Sequence, residues 1–108
     1  MKHYLHVSSW PSHPMRVEEF NKWYDEVHVP EVVALDGFVG ATRLTPVDND
    51  GGPWITIYEI EGDPHEAVER VKAASAAGQL NMSDVLSLGP IPSLRIMAEH
   101  LVYAKPGA

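Results

Sequence analysis

The residues best suited to chemistry in this sequence are His28 and Tyr24, which stand four positions apart in an amphipathic segment. At helical spacing both side chains lie on one face, with Phe20 one turn earlier. An imidazole titrates near neutrality, and an apolar pocket keeps it neutral and basic. The pattern predicts His28 as a general base and Tyr24 as a hydrogen-bond donor to a substrate oxygen. Each residue also has a structural alternative. His28 could brace the chain at Pro30, and Tyr24 could pack in the core.

The first strand and the central hairpin offer further polar candidates. Tyr4 and His6 share one strand face, so a sheet that borders a pocket would present both, His6 as a catalytic residue and Tyr4 as a substrate-binding residue. The same pair would be ordinary in a subunit interface. Arg43 is a candidate for binding a carboxylate or an enolate. An ion pair with Glu59 across the hairpin is the favoured interpretation of that arginine.

The remaining candidates are apolar or aromatic side chains that would shape or polarise the pocket, namely Phe20, Val27, Trp54 and Tyr58. No metal is expected, because the histidines are not spaced as ligands and the pair of His28 with Asp25 has no third partner. The sequence contains no glycine-rich phosphate loop and no nucleotide fingerprint. We therefore expect an active site without a cofactor.

Composition restricts the partners of the chain. Its 108 residues contain no cysteine and carry a formal net charge of -7. The charge disfavours nucleic acids and anionic lipid surfaces, and the absence of cysteine excludes disulfides, thiolate metal sites and cysteine nucleophiles. No segment has the length and hydropathy of a signal peptide or a membrane span. We expect one domain, residues 1–108, in the cytoplasm, with a small hydrophobic molecule as its partner.

Hydrophobic periodicity and turn residues predict a strand, a helix, a hairpin, a second helix and a closing strand. The second helix has three start signals, a capping Asp63, a proline at the first helical position and a glutamate at the capping-box position. The predicted bounds are Lys2 to Ser8, Met15 to Leu35 with a kink at Pro30, Phe38 to Thr45, Trp54 to Glu61, Asp63 to Gly78, and Ser93 to Ala104. Between the second helix and the closing strand we expect an irregular segment with a helical turn around Ser83 to Leu88.

This βαββαβ order is typical of an α+β, ferredoxin-like fold, in which a four-stranded antiparallel sheet carries both helices on one face. The strands also place apolar residues on the other face, and exposed apolar patches of that size usually mark interfaces. The pattern therefore predicts a homodimer joined sheet to sheet.

The segment Phe20 to Pro30, followed by Gly37-Phe38, Arg43 and Tyr58-Glu59, resembles EthD-like members of the dimeric α/β-barrel superfamily. That resemblance implies a dimeric α/β barrel and places His28 at the position of a pocket histidine in the lactone isomerases. The superfamily is functionally diverse and includes isomerases, cyclases and cofactor-free monooxygenases, so its fold alone does not select a reaction.

The sequence thus favours a cofactor-free isomerase, cyclase or lyase that acts on a small oxygenated molecule such as a lactone, polyketide or aromatic, with His28 as the base. One alternative is a cofactor-free monooxygenase that uses the same pocket. The other is a non-catalytic accessory dimer that binds a small ligand, with His28 in a structural role.

Overall fold

Alternating side chains organise the sheet at the centre of the molecule, as described by a computed structural model for residues 1–89 and 93–107. Strand β1, His3–Pro11, is central, and its odd-numbered residues from Leu5 to Ser9 are buried. On one side β1 pairs with β3, Trp54–Ile60, which pairs in turn with β2, Phe38–Leu44. On its other side β1 pairs with β5, Leu94–Ala98, and near its end with the short β4, Leu86–Ser87. All of these pairings are antiparallel.

Helices connect these strands and cover one face of the sheet. After a 3₁₀ turn at Pro14–Arg16, α1 covers Val17–Trp23, a π-helical turn covers Tyr24–His28, and α2 covers Val29–Val33. The second long helix, α3, is Pro64–Ala76. The α+β class with an antiparallel sheet is thereby confirmed, and the strand order is compatible with a ferredoxin-like arrangement.

The π turn lies where the sequence predicted a kink. Pro30 has no N–H, and its ring would clash with the carbonyl of Glu26 in a regular helix. The chain relieves this conflict by inserting one extra residue into the turn, so that the backbone N–H of Val29 donates to the carbonyl of Tyr24. The wider turn is the element that carries His28.

The ends of α3 follow local capping rules. Asp63 Oδ1 accepts hydrogen bonds from the backbone N–H groups of His65 and Glu66, at 2.8 and 3.2 Å. The predicted N-cap is therefore confirmed. Ala67 and Ala74 on the same helix are buried, and Ala67 belongs to the core cluster, so small side chains let the helix approach the sheet closely.

The segment after α3 differs from its prediction. Of the helical turn expected around Ser83 to Leu88, only a single turn at residues 84–85 is present, with the backbone N–H of Leu86 donating to the carbonyl of Ser83 at 3.5 Å; Leu86–Ser87 then forms β4 against the end of β1. The closing strand exists but ends at Ala98, and residues 101–105 have no regular structure. The predicted irregular segment ended at Pro92, and residues 90–92 lie outside the described part of the chain.

Candidate functional site

His28 lies in an aromatic surround on the helix side of the sheet. Its ring stacks on Trp23, with ring centroids 4.8 Å apart and planes inclined by 21°. Tyr24 meets the same imidazole edge-on at 5.0 Å. Among the described residues, no group forms a hydrogen bond with its buried Nδ1 atom. Trp23 is not among the candidates that the sequence suggested, yet its ring packs flat against the imidazole of the candidate base.

The protonation state of His28 follows from this environment. Its pKa is lowered to about 4, chiefly by burial; Glu31 opposes this shift, and the charge of Arg43 contributes to it. The imidazole is therefore neutral at physiological pH. It can accept a proton or a hydrogen bond, but in these surroundings it is a weaker base than an exposed histidine.

His28 lines a cavity of about 190 Å³ between the helices, the sheet and the segment after α3. Such a volume is small for a ligand site and suits a single-ring molecule. The wall is mainly aliphatic, and its polar members are few. The lining residues are Leu5, Val7, Tyr24, His28, Val32, Tyr58, Val71, Lys72, Ser75, Leu80, Met82, Leu86, Leu88 and Leu94.

Tyr58 and Tyr24 supply the phenols of this cavity. Both are almost completely buried, with 2% and 1% of their surface exposed. Burial raises the pKa of Tyr58, so its hydroxyl stays protonated at neutral pH and available as a donor. In the described part of the chain no group meets hydrogen-bond geometry with that hydroxyl, although Tyr24 is near enough to contribute to its raised pKa. The structure thus brings together three of the predicted site residues, His28, Tyr24 and Tyr58.

Arg43 lies beside this group, but not in the predicted ion pair. Its Nη1 donates to Asp25 Oδ1 at 2.8 Å and to Asn21 Oδ1 at 3.0 Å on α1 and the π turn. Glu59 instead pairs with Lys2 at 3.1 Å on the other face of the sheet, so the expected pairing of Arg43 with Glu59 is wrong. The guanidinium stacks over the ring of Tyr24, with Cζ 4.1 Å from its centroid.

Tyr4 and His6 lie on the opposite face of the sheet from His28, because they alternate with the buried Leu5 and Val7 along β1. The expectation that they act together with His28 within one chain is therefore wrong. The Tyr4 hydroxyl donates to Glu99 Oε2 at 3.2 Å. The two residues line a separate groove of about 480 Å³ with Thr42, Leu44, Ile57 and Met97. We call this surface the open face.

The predicted apolar wall is also distributed differently. Phe20 is completely buried between Tyr24 and Trp54, at 5.5 Å from each ring, and lines no described cavity. Trp54 lines a different cleft of about 370 Å³ near Trp10. Val27 is half-buried and is absent from the wall of the His28 cavity. These three residues therefore do not form the pocket wall that the sequence suggested.

Sequence reasoning missed the part of the wall that follows α3. Leu80, Met82, Leu86 and Leu88 close the cavity. The segment is fixed by Asn81, whose backbone N–H and side-chain amide donate to Glu31 at 2.9 and 2.8 Å. The carbonyl of Asn81 accepts a hydrogen bond of 2.8 Å from the indole of Trp23. An alternation of leucines in an irregular segment was the available signal.

The described residues lack two further features, a metal-binding cluster and a membrane-spanning helix. Within residues 1–89 and 93–107, no three histidine or carboxylate side chains come close enough together to hold a metal ion. Over the same ranges, no helix has both the length and the hydropathy required to cross a membrane.

Comparison with known proteins supports the fold class. The structure of Rv0793 from Mycobacterium tuberculosis superimposes with a TM-score of 0.53, covering 96% of this chain and 100% of that one. The two sequences are 11% identical, so the likeness concerns the fold alone. No protein-family model and no curated protein matches this sequence. The fold and the site together define a small α+β protein with a mostly apolar cavity, partly open to solvent, that is lined by a neutral histidine.

Proposed function

We propose that this chain is a cofactor-free enzyme of the EthD-like, dimeric α/β-barrel kind that moves a proton next to a carbonyl group of a small ring molecule. One observation carries the proposal. An imidazole and a phenol, on His28 and Tyr58, border the same apolar cavity with no hydrogen-bond partner for His28 Nδ1 or the Tyr58 hydroxyl among the described residues. Buried polar atoms are normally paired, and those left unpaired are often reserved for a ligand.

The proposed reaction uses both groups. The C–H bond next to the carbonyl breaks, its proton passes to neutral His28, and the electron pair moves to the carbonyl oxygen as an enolate. The Tyr58 hydroxyl donates to that oxygen. Where a C=C bond of the ring is conjugated with the enolate, return of the proton from His28 to the far carbon of that system shifts the double bond and gives an isomer. The pKa of about 4 for His28 belongs to the protein alone, and negative charge developing beside the imidazole raises its basicity as the proton moves.

Hydrogen exchange tests this proposal with simple ring compounds in place of the natural substrate. Small cyclic ketones and lactones are incubated with the protein in deuterium oxide, and deuterium incorporation next to the carbonyl is followed by NMR. We expect catalysed exchange for at least one ring, lost in His28→Gln and retained in His65→Gln, since His65 is an exposed histidine with 83% of its side chain accessible. Equal exchange rates in the two variants would remove His28 from the reaction.

A second candidate is a non-catalytic small-molecule-binding protein. The lowered pKa of His28 favours it, because a weakly basic imidazole serves well as a hydrogen-bond acceptor and less well as a base. In that case a ring ketone would bind without exchanging hydrogen. Oxygen consumption in the same incubations would point instead to the cofactor-free monooxygenase.

We further propose that the protein is a homodimer joined through the open face. Leu44 and Met97 on this face are 49% and 48% exposed, and Ile57 lies between their strands. An apolar surface in the middle of a sheet is costly in water and is usually covered by a partner. The face is continuous from β2 to β5, so a second copy could cover it strand over strand.

A further inference from the structure

Arg43 has one edge that the protein leaves unused. Both of its hydrogen bonds to Asn21 and Asp25 come from Nη1. Its Nε and Nη2 atoms are buried, and no described residue accepts a hydrogen bond from either. These two N–H groups form the side of the guanidinium that matches the two oxygens of a carboxylate. Asp25 already balances the charge of the guanidinium, but two buried N–H groups without an acceptor are costly, which favours an acceptor-rich group such as a carboxylate at this edge.

Further unpaired polar atoms lie on the same, helix-facing side of the sheet as Arg43. Thr56 lies directly opposite Arg43 in the pairing of β2 with β3, and it is completely buried. Its hydroxyl has no partner within the described residues, and the same holds for the indole N–H of Trp54 and the hydroxyl of Ser9. Each of these groups can donate a hydrogen bond. The surplus of donors favours an acceptor-rich ligand group.

The Tyr24 ring stands between Arg43 and the His28 cavity, whose lining includes neither Arg43 nor Thr56. Arg43 and His28 contact the same ring, that of Tyr24, which lines the cavity. The two functional groups are therefore separated by one aromatic ring. Because the edge of Arg43 is buried, an anion must reach it from within the layer between helices and sheet.

We propose that Arg43, through Nε and Nη2 and with the Thr56 hydroxyl, binds the carboxylate of a small organic acid. This carboxylate site rests on the geometry of Arg43 and is independent of the reaction proposed for His28. The chain carries a net charge of -7, so long-range attraction does not favour anions. A preference for a carboxylate must therefore arise locally.

Benzoate and benzamide test the proposal, since they share a ring and a planar head group but differ in charge. Their affinities for the full chain are measured by NMR titration near pH 7, where His28 is neutral because its pKa is about 4. We expect benzoate to bind at least about tenfold more tightly, as for a charge-assisted pair of hydrogen bonds. Arg43→Gln should remove this preference. The matched control Arg70→Gln, at an arginine of α3 with 44% of its side chain exposed, should keep it.

Two further variants separate this site from the proposed reaction and from misfolding. Asp25→Asn removes the charge that competes for Arg43 and should strengthen benzoate binding. His28→Gln should retain the benzoate preference even though it abolishes hydrogen exchange. Equal affinities of the wild-type protein for the two probes, no benzoate binding at millimolar concentration, or the same preference in Arg43→Gln would each overturn the proposal.

Discussion

Replacement of His28 by Gln should change how stability depends on pH. The pKa of His28 is lowered from 6.5 to about 4 in the folded protein, chiefly by burial, whereas the unfolded chain keeps the ordinary value. Between these values the unfolded state binds the additional proton. Stability contributed by the neutral imidazole is therefore complete above about pH 6.5 and is lost as the pH falls towards 4.

The size of this effect follows from the same two values. A full shift from 6.5 to about 4 corresponds to roughly 3 kcal/mol of unfolding free energy. Urea unfolding of the wild-type protein and of His28→Gln, measured across this pH range, gives the difference between the two free energies. Carboxylates that titrate in the same pH range contribute equally to the unfolding free energies of both proteins, so their contributions cancel in the difference. We expect the wild-type protein to lose about 3 kcal/mol more than the variant between pH 7 and pH 4.

The control is His65→Gln, because His65 is exposed and the substitution removes the same imidazole from solvent. Its unfolding free energy should run parallel to that of the wild-type protein. Parallel curves for His28→Gln as well would mean that His28 is solvated in the folded state. An NMR titration of the His28 ring protons in the folded protein would give the same answer directly.

Three other substitutions have defined outcomes. Asp63→Ala removes the N-cap of α3 and should cost about 1 kcal/mol in urea unfolding, whereas Asp63→Asn, which keeps an accepting oxygen, should cost less. Trp23→Phe removes the hydrogen bond to the carbonyl of Asn81 and should speed amide hydrogen exchange in residues 80–86, as measured by mass spectrometry. Unchanged exchange would show that the hydrogen bonds of Asn81 to Glu31 are sufficient to fix this segment. Ile57→Lys on the open face should convert the proposed dimer to a monomer by light scattering, while Leu101→Lys, at a residue 74% exposed, should not.

The features that depend only on neighbouring residues, such as the buried face of β1 and the start of α3, were predictable from the sequence. Alternation along β1 identified Leu5 and Val7 as one face, and the signals at Asp63 gave the start of α3. The same alternation already implied that Tyr4 and His6 point away from any pocket that Leu5 borders. Grouping them with His28 ignored a constraint that the sequence itself contained.

The segment after α3 was less predictable because tertiary contacts determine it. Its strand β4 has two residues, Leu86–Ser87, and exists only because the end of β1 offers a partner. Asn81 is fixed by Glu31, fifty positions earlier in the chain. The alternation of apolar residues at Leu80, Met82, Leu86 and Leu88 hints at a buried face, but nothing in residues 79–89 signals the partners of either contact.

The position of Arg43 depends on one irregularity in β2. Phe38 and Arg43 are an odd number of residues apart, so a regular strand would place them on opposite faces. The pairing with β3 shifts by one residue between Phe38 and Gly40, and this bulge turns both side chains towards the helices. Without the shift, Arg43 would share the open face with Glu59. The expected ion pair between Arg43 and Glu59 would require β2 to be a regular strand without this bulge.

The π turn and the bulge in β2 are both irregularities that bring a polar side chain against the ring of Tyr24. Each inserts a single residue, one before Pro30 and one after Phe38. The first directs His28 and the second directs Arg43 to the ring of Tyr24. Such irregularities disrupt regular hydrogen bonding and are over-represented at functional sites. Because a purely structural core would not require a buried cation there, their convergence on Tyr24 favours a binding or catalytic role for the group.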